Sequence, residues 1–195
     1  MAKLIHLKES VEKKTISLDK AGQYVVFFHN ISGDITVELN ASDIEVDIFG
    51  LFTGKSGDKF QIGTTQHHRA PRSWSNLLIK GVFDDNSRFD YRGLIRIEKT
   101  GQQSHAYQKN QNIILSNKTY VESKPFLEIL ANDVFCTHGS TTGRLSKEQM
   151  LYVQSRGLNQ KEAEQLLIQG FVDEIYDKIA VKIPSFAKKK TQPQS

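Results

Sequence analysis

Asp34-Ile35-Thr36-Val37-Glu38-Leu39 and Ile44-Glu45-Val46-Asp47-Ile48-Phe49 each place an apolar residue at every second position, the pattern of a half-buried β-strand. The signature recurs upstream in residues 23–28 and downstream in residues 59–62, 76–80, 88–91, 94–98, 112–115, 126–129 and 133–136. Glycine, asparagine, aspartate and serine punctuate these segments. The β pattern therefore runs from about residue 22 to residue 138 with little helix between strands. Such a series suits a sandwich, a barrel or a solenoid. The strand region contains no Asn-Gly or Asp-Gly pair, although a hairpin-built sheet often uses them. Stacked coils of short strands fit better, without a strict repeat period to mark them. The chain reads as mainly β, a parallel β-helix.

After Gly143 the pattern becomes helical. Ser146 is placed to cap a first helix with Gln149 three positions on, and the run Gln149–Arg156 ends at Gly157, a natural left-handed stop. Asn159 caps a second helix with Glu162 at the capping-box position. Its apolar stripe is Ala163, Leu166, Leu167, Phe171, Ile175 and Ile179, and Pro184 bounds it downstream. Residues 1–145 thus form a β body, 146–183 a helical region, and 184–195 a basic tail expected to be disordered, with Lys188-Lys189-Lys190 in it. The helices either cap the open end of the β body or offer an interaction surface.

Composition narrows the class. The 195 residues are 38% hydrophobic and 25% charged with a formal charge of +4, values of a globular chain. No apolar run approaches the ~20 residues that span a bilayer, and the amino terminus lacks the apolar core of a signal peptide. A cytoplasmic protein is expected. The one cysteine excludes an internal disulfide framework. It lies in Cys136-Thr137-His138-Gly139, where thiol and imidazole, two residues apart on a strand, project to one face. Both are sensible iron ligands, yet a closed metal site needs about four protein donors. Cys136 and His138 read equally as a core thiol and a turn-bonding histidine.

The residues Lys124-Pro125-Phe126-Leu127-Glu128-Ile129, then Asp133-Val134-Phe135-Cys136-Thr137-His138-Gly139-Ser140-Thr141-Thr142-Gly143, then Tyr152-Val153-Gln154-Ser155-Arg156-Gly157-Leu158 with Glu162-Ala163 and Leu166-Leu167, resemble the carboxy-terminal half of the SufB/SufD family. Upstream, Gly81-Val82-Phe83-Asp84-Asp85-Asn86-Ser87, Gly93-Leu94-Ile95 and the run from Gln108 to Ser116 are similar to the same family's β region. The resemblance implies a right-handed parallel β-helix that pairs through its β body. It also implies a non-enzymatic scaffold on which a transient iron–sulfur cluster is assembled, and a SufC-like ABC ATPase docked on the carboxy-terminal helices. It implies cluster-assembly and metal-binding roles for Cys136 and His138, and partner-binding roles for Leu151, Leu166, Leu167, Phe171 and Ile175. The partner in the dimer is a second copy or a SufB-like subunit. Gly139 follows the motif histidine where SufB-type members carry glutamate, and residues 110–118 lack their upstream cysteine, so the chain is closer to SufD. The amino-terminal helical domain usual in the family has no counterpart in the pattern, which turns to β almost at once.

Other candidates read more blandly. His67-His68 is expected in a surface turn, with the two rings facing opposite ways, and His105 near another turn. Glu122 and Glu128 are expected on an exposed strand face. The chain has no G-x-x-x-x-G-K-[ST] motif, so ATP use belongs to a partner. The alternative reading is a β-solenoid interaction or carbohydrate-active protein without cluster chemistry, since fold alone does not fix function.

Overall fold

The computed structural model describes residues 2–189. Its strands are Lys3–Leu7 (β1), Lys13–Leu18 (β2), Gly22–His29 (β3), Gly33–Leu39 (β4), Ile44–Gly54 (β5), Lys59–His68 (β6), Trp74–Phe83 (β7), Arg88–Ile97 (β8), Ser104–Ile114 (β9), Tyr120–Ile129 (β10) and Val134–Gly143 (β11). Two helices follow, Lys147–Gln154 (α1) and Gln160–Lys182 (α2), then a 3-10 turn over Pro184–Lys189. Odd-numbered strands form one sheet in the order β1-β3-β5-β7-β9-β11, and even-numbered strands form the other, β2-β4-β6-β8-β10. Every pairing is parallel, because each strand stacks on the strand one coil earlier. The fold is the parallel β-solenoid that the strand pattern suggested. No described helix is long and apolar enough to cross a membrane.

The coil length explains why no strict period is visible. Lys3 pairs with Tyr24 and Lys13 with Asp34, steps of 21 residues, whereas Glu45 pairs with Trp74 and Trp74 with His105, steps of 29 and 31. The β region also begins earlier than expected, at Lys3 rather than near residue 22. In β1 and β2 only Ile16 and Leu18 are buried, so edge position blunts the alternation that marks a strand. Conversely, residues 88–91 and 94–98, read as two strands, are one strand through Gly93. Pro125, which lacks an N–H, lies in β10, an edge strand where one side of the ladder needs no partner.

Both helix caps form as their residues dictate. Ser146 Oγ accepts from the Gln149 N–H, and Asn159 and Glu162 complete a reciprocal capping box. Gly157 takes a φ of +97°, ending the turn after α1. The helices do not cap the end of the solenoid. Instead α2 lies along the outer face of the odd-numbered sheet, where Ile175, Ile179 and Ile183 pack on Val25, Phe27, Phe49, Leu51 and Leu78. Val25, Phe27, Phe49, Leu51 and Leu78 are apolar although they face outward, because a helix covers them. Pro184–Lys189 continues this packing, with Phe186 edge-on to Phe27, and residues 190–195 of the expected disordered tail lie outside the described residues.

A buried polar contact helps to pin the helix. Lys80 on β7 is 2% exposed; its Nζ donates to the Phe171 carbonyl at 2.9 Å and to Glu174, and lies 4.0 Å from the Phe171 ring centroid. Burial pulls the Lys80 pKa down against the opposing pull of Glu174. Removing only the carboxylate strands a buried ammonium, whereas an apolar replacement of the lysine removes the cost of burying it. Glu174→Ala is therefore expected to destabilise by about 1–2 kcal/mol, the partial exposure of the carboxylate limiting the loss. Lys80→Met in the same background is expected to recover much of that, read from urea midpoints. Equal midpoints for wild type and Glu174→Ala would remove this contact from the docking of α2.

Candidate functional site

Cys136 and His138 lie on β11, the last strand of the odd-numbered sheet. Register places Cys136 beside Ala106 and His138 beside Gln108, both of which are 1% exposed and face the lumen. The two ligand types thus share the inward column of the final coil, as their spacing requires. His138 is exposed and Cys136 half-buried, because no further coil covers them. Leu127, beside buried Ile95 in the opposite sheet, is likewise 44% exposed although it faces inward. The lumen is open at this end, and β10 and β11 present unpaired strand edges. Phe126, Leu130 and Phe135 add exposed apolar surface around the rim.

Below the motif the lumen turns polar. The column Val26, Ile48, Leu77 continues as Gln108 and then His138, and next to it Ile79 is followed by Asn110 and Ser140. Asn112 Nδ2 donates to Asn110 Oδ1 at 2.6 Å and to Thr142 Oγ1 at 3.2 Å. Gln108 Oε1, Asn110 Nδ2 and Asn112 Oδ1 are buried without a hydrogen-bond partner among the described residues. Sequence reasoning missed this polar floor. Gln108-Lys109-Asn110-Gln111-Asn112 is polar at every position, so alternation carries no inward or outward signal there.

Burial pushes the Cys136 thiol up to about 11, so in the isolated chain it is a protonated thiol. Iron or sulfur chemistry at Cys136 requires loss of that proton. Alkylation of Cys136 by iodoacetamide is accordingly expected to be slow at neutral pH and to rise about tenfold per pH unit up to pH ~10. A rate that levels off near pH ~8.5, the ordinary thiol value, would contradict the raised pKa. Among the described residues no group of three or more His, Cys, Asp and Glu side chains is arranged to hold a metal ion. One copy of the chain supplies two donors at this end.

The remaining candidates resolve differently. His67 and His68 are not in a surface turn: they end β6 and both are buried. His67 faces outward to Glu98 Oε1 at 2.9 Å, with Glu38 at 3.9 Å, and His68 faces the lumen between Ser73 and Ser75. Their opposite orientation is as the strand pattern demands. His105 is the second residue of β9, just past the turn at residues 102–103 as expected, and its ring stacks on Trp74 at 4.0 Å. Glu122 pairs with Lys124 at 2.8 Å and Glu128 with Arg96 at 3.5 Å on the outer strand face. Of the expected partner-binding residues, Leu151 and Leu166 are 67% and 52% exposed, and Leu167 and Phe171 are partly buried. Ile175 is fully buried under α2, so its side chain docks the helix and is not offered to a partner.

The sequence model described as "SUF system FeS cluster assembly, SufBD core domain" matches residues 11–171. The chain is 32% identical over 150 residues to the iron–sulfur cluster assembly protein SufD of Escherichia coli (strain K12), a match covering 77% of this chain and 34% of that protein. It is 33% identical over 147 residues to a SufBD family protein of Mycobacterium leprae (strain TN), covering 70% and 37% respectively. A SufBD family protein of Synechocystis sp. is 37% identical over 109 residues, covering 56% of this chain and 24% of the relative. The chain thus spans roughly a third of the length of the relatives it matches. The matched segment runs from the first coils through the open end and into α2, and on that extent the chain belongs to the SufBD family of iron–sulfur cluster assembly proteins.

Proposed function

We propose that this chain is a cytoplasmic, non-enzymatic scaffold subunit of iron–sulfur cluster assembly, pairing through the open end of its solenoid and coupled to a SufC-like ABC ATPase. The observation that carries the reading is the uncovered last coil. Two unpaired parallel edges, an exposed apolar rim and the inward-facing Cys136 and His138 coincide at one end of the molecule. A second copy or a SufB-like subunit joined there would cover the edges and bring further donors to the two that one chain holds. The cluster is cargo, held transiently by thiolate and imidazole and passed on. Exposed Leu151, Tyr152 and Leu166 on α1 and the first half of α2 support docking of the ATPase on this region.

Light scattering on the purified chain, alone and mixed with an ABC-type ATPase of the same system, tests the reading. A pair that dissociates in Phe126→Asp and Leu127→Asp, and ATPase binding lost in Leu166→Asp, are the expected results. Anaerobic reconstitution with iron and sulfide is expected to give cluster absorbance that falls in His138→Ala and in Cys136→Ala. A stable monomer that captures no ATPase and shows the same absorbance in both site variants would sink the proposal.

A further inference from the structure

Where α2 ends its contact with the sheet, a groove of about 510 Å³ remains between the helix and the outer face of β7 and β9. Its volume lies within the ~300–1,000 Å³ range of small-molecule sites. Phe49 and Leu78 form an apolar floor under α2, and Tyr107 stands on the far side, 41% exposed. Lys109 on β9 and Lys178 on α2 both line it, with Glu174 and Lys182 also on the helix.

The charges in this groove do not balance. Glu174 is already held by buried Lys80, and Lys178 reaches the same carboxylate only at 3.8 Å. Lys182 is committed to Glu45 and to Asp47 at 3.6 Å, and Asp47 also accepts from Asn76 Nδ2 at 3.2 Å. Lys109 has no ion pair among the described residues. Lys109, Lys178 and Lys182 thus line the groove against Asp47 and Glu174, and with Glu174 held by Lys80 and Asp47 by Lys182, Lys109 and Lys178 retain unused donors. We propose that this groove binds a small organic anion, a phosphate or carboxylate held by Lys109 and Lys178 with its flat apolar portion against Tyr107, Phe49 and Leu78. Two lysine point charges over an apolar floor fit the general construction of a small-molecule site, in which a few placed polar groups fix orientation in a mostly apolar cleft. The site is on the outer face of the odd-numbered sheet, whereas Cys136 and His138 face the lumen from the neighbouring strand β11.

The sole tryptophan reports on it. Trp74 lies on β7 two residues before Asn76, which lines the groove, and both face outward. Phenyl phosphate, benzoate and inorganic phosphate are titrated into the full chain while Trp74 fluorescence is followed. Phenyl phosphate or benzoate is expected to give a saturable change at millimolar concentrations, and whichever binds tighter identifies the headgroup. Lys109→Ala and Lys178→Ala are each expected to weaken that binding about tenfold, the equivalent of one lost ionic contact. Tyr107→Ala is expected to weaken the aromatic probes and leave inorganic phosphate unchanged. Lys14→Ala, on the exposed part of distant β2, is the control expected to bind as wild type. Circular dichroism confirms that each variant is folded. The proposal is overturned by no saturable change, by equal affinity in both groove-lysine variants and wild type, by an equal loss in Lys14→Ala, or by inorganic phosphate binding as tightly as phenyl phosphate.

Discussion

Phe52→Ala is expected to destabilise the chain by about 3–5 kcal/mol, the range for removing a fully buried phenyl ring that its surroundings cannot replace. Phe52 is 0% exposed at the centre of a ladder of rings inside the solenoid. It lies 4.7 Å from Phe89, 5.5 Å from Phe60 and 6.1 Å from Phe28, centroid to centroid, with Phe83 stacked on Phe89 at 4.8 Å. The neighbouring columns have little slack to collapse into the gap. Glycine alternates with the rings: a Cβ on Gly50 would fall 2.5 Å from Phe28 Cε2, and one on Gly81 2.2 Å from Phe83 Cε2. Small residues are thus spent where aromatic rings need the volume. The loss is read as a shift in urea midpoint with Leu151→Ala, at an exposed position, as the reference. A shift no larger than that of Leu151→Ala would mean that the interior repacks freely, contrary to a close-packed lumen.

The strands that carry this ladder were legible because their two faces differ. In β4 and in β5 as far as Ile48 the inward residues are apolar and the outward ones polar, so Ile35, Val37 and Leu39 announce the lumen by period alone. Legibility fails where both faces share one character. Phe27, Phe49 and Leu78 are apolar outward residues because α2 covers them, and Gln108, Asn110 and Asn112 are polar inward ones. The stacking itself was unreadable as a period, since the coil lengthens from 21 residues to about 30 along the chain. Helix caps are local and were correctly placed by Ser146, Asn159 and Glu162. The surface on which a helix docks is set by contacts distant in sequence. Ile175 accordingly looked like an interaction residue and is a packing residue. For the candidate site, the shared face of Cys136 and His138 followed from strand geometry. That this face looks into an open lumen did not, because it depends on β11 being the last strand of its sheet.

Acid is expected to weaken the fold through His68 before the carboxylates titrate. His68 is 0% exposed, and burial followed by the like charge of His67 pulls its pKa down to about 4 from the ordinary 6.5. Its ring bridges Ser73 Oγ and Ser75 Oγ, each at 2.7 Å, and Ser73 passes its own proton to the Ala70 carbonyl at 3.2 Å. One neutral tautomer satisfies all three groups: Nδ1–H donates to Ser73, and Nε2 accepts from Ser75. Protonation makes both ring nitrogens donors and turns the Ser75 hydroxyl away, with no carboxylate among the described residues in contact to compensate. The folded state therefore resists a proton that the unfolded chain accepts. The contribution is complete above pH ~6.5 and is lost as pH falls toward about 4. At pH ~5 the loss amounts to about 2 kcal/mol, from the free energy per unit of pKa difference. His29 also carries a lowered pKa, through burial and then His6, so the decisive comparison is between proteins rather than between pH values alone. His68→Gln keeps a hydrogen-bonding side chain that does not titrate. Its urea midpoint is expected to fall less than that of wild type between pH ~7.5 and pH ~5, by about 2 kcal/mol in stability. Identical pH slopes for the two proteins would show that the buried imidazole is not the acid-sensitive element of this solenoid.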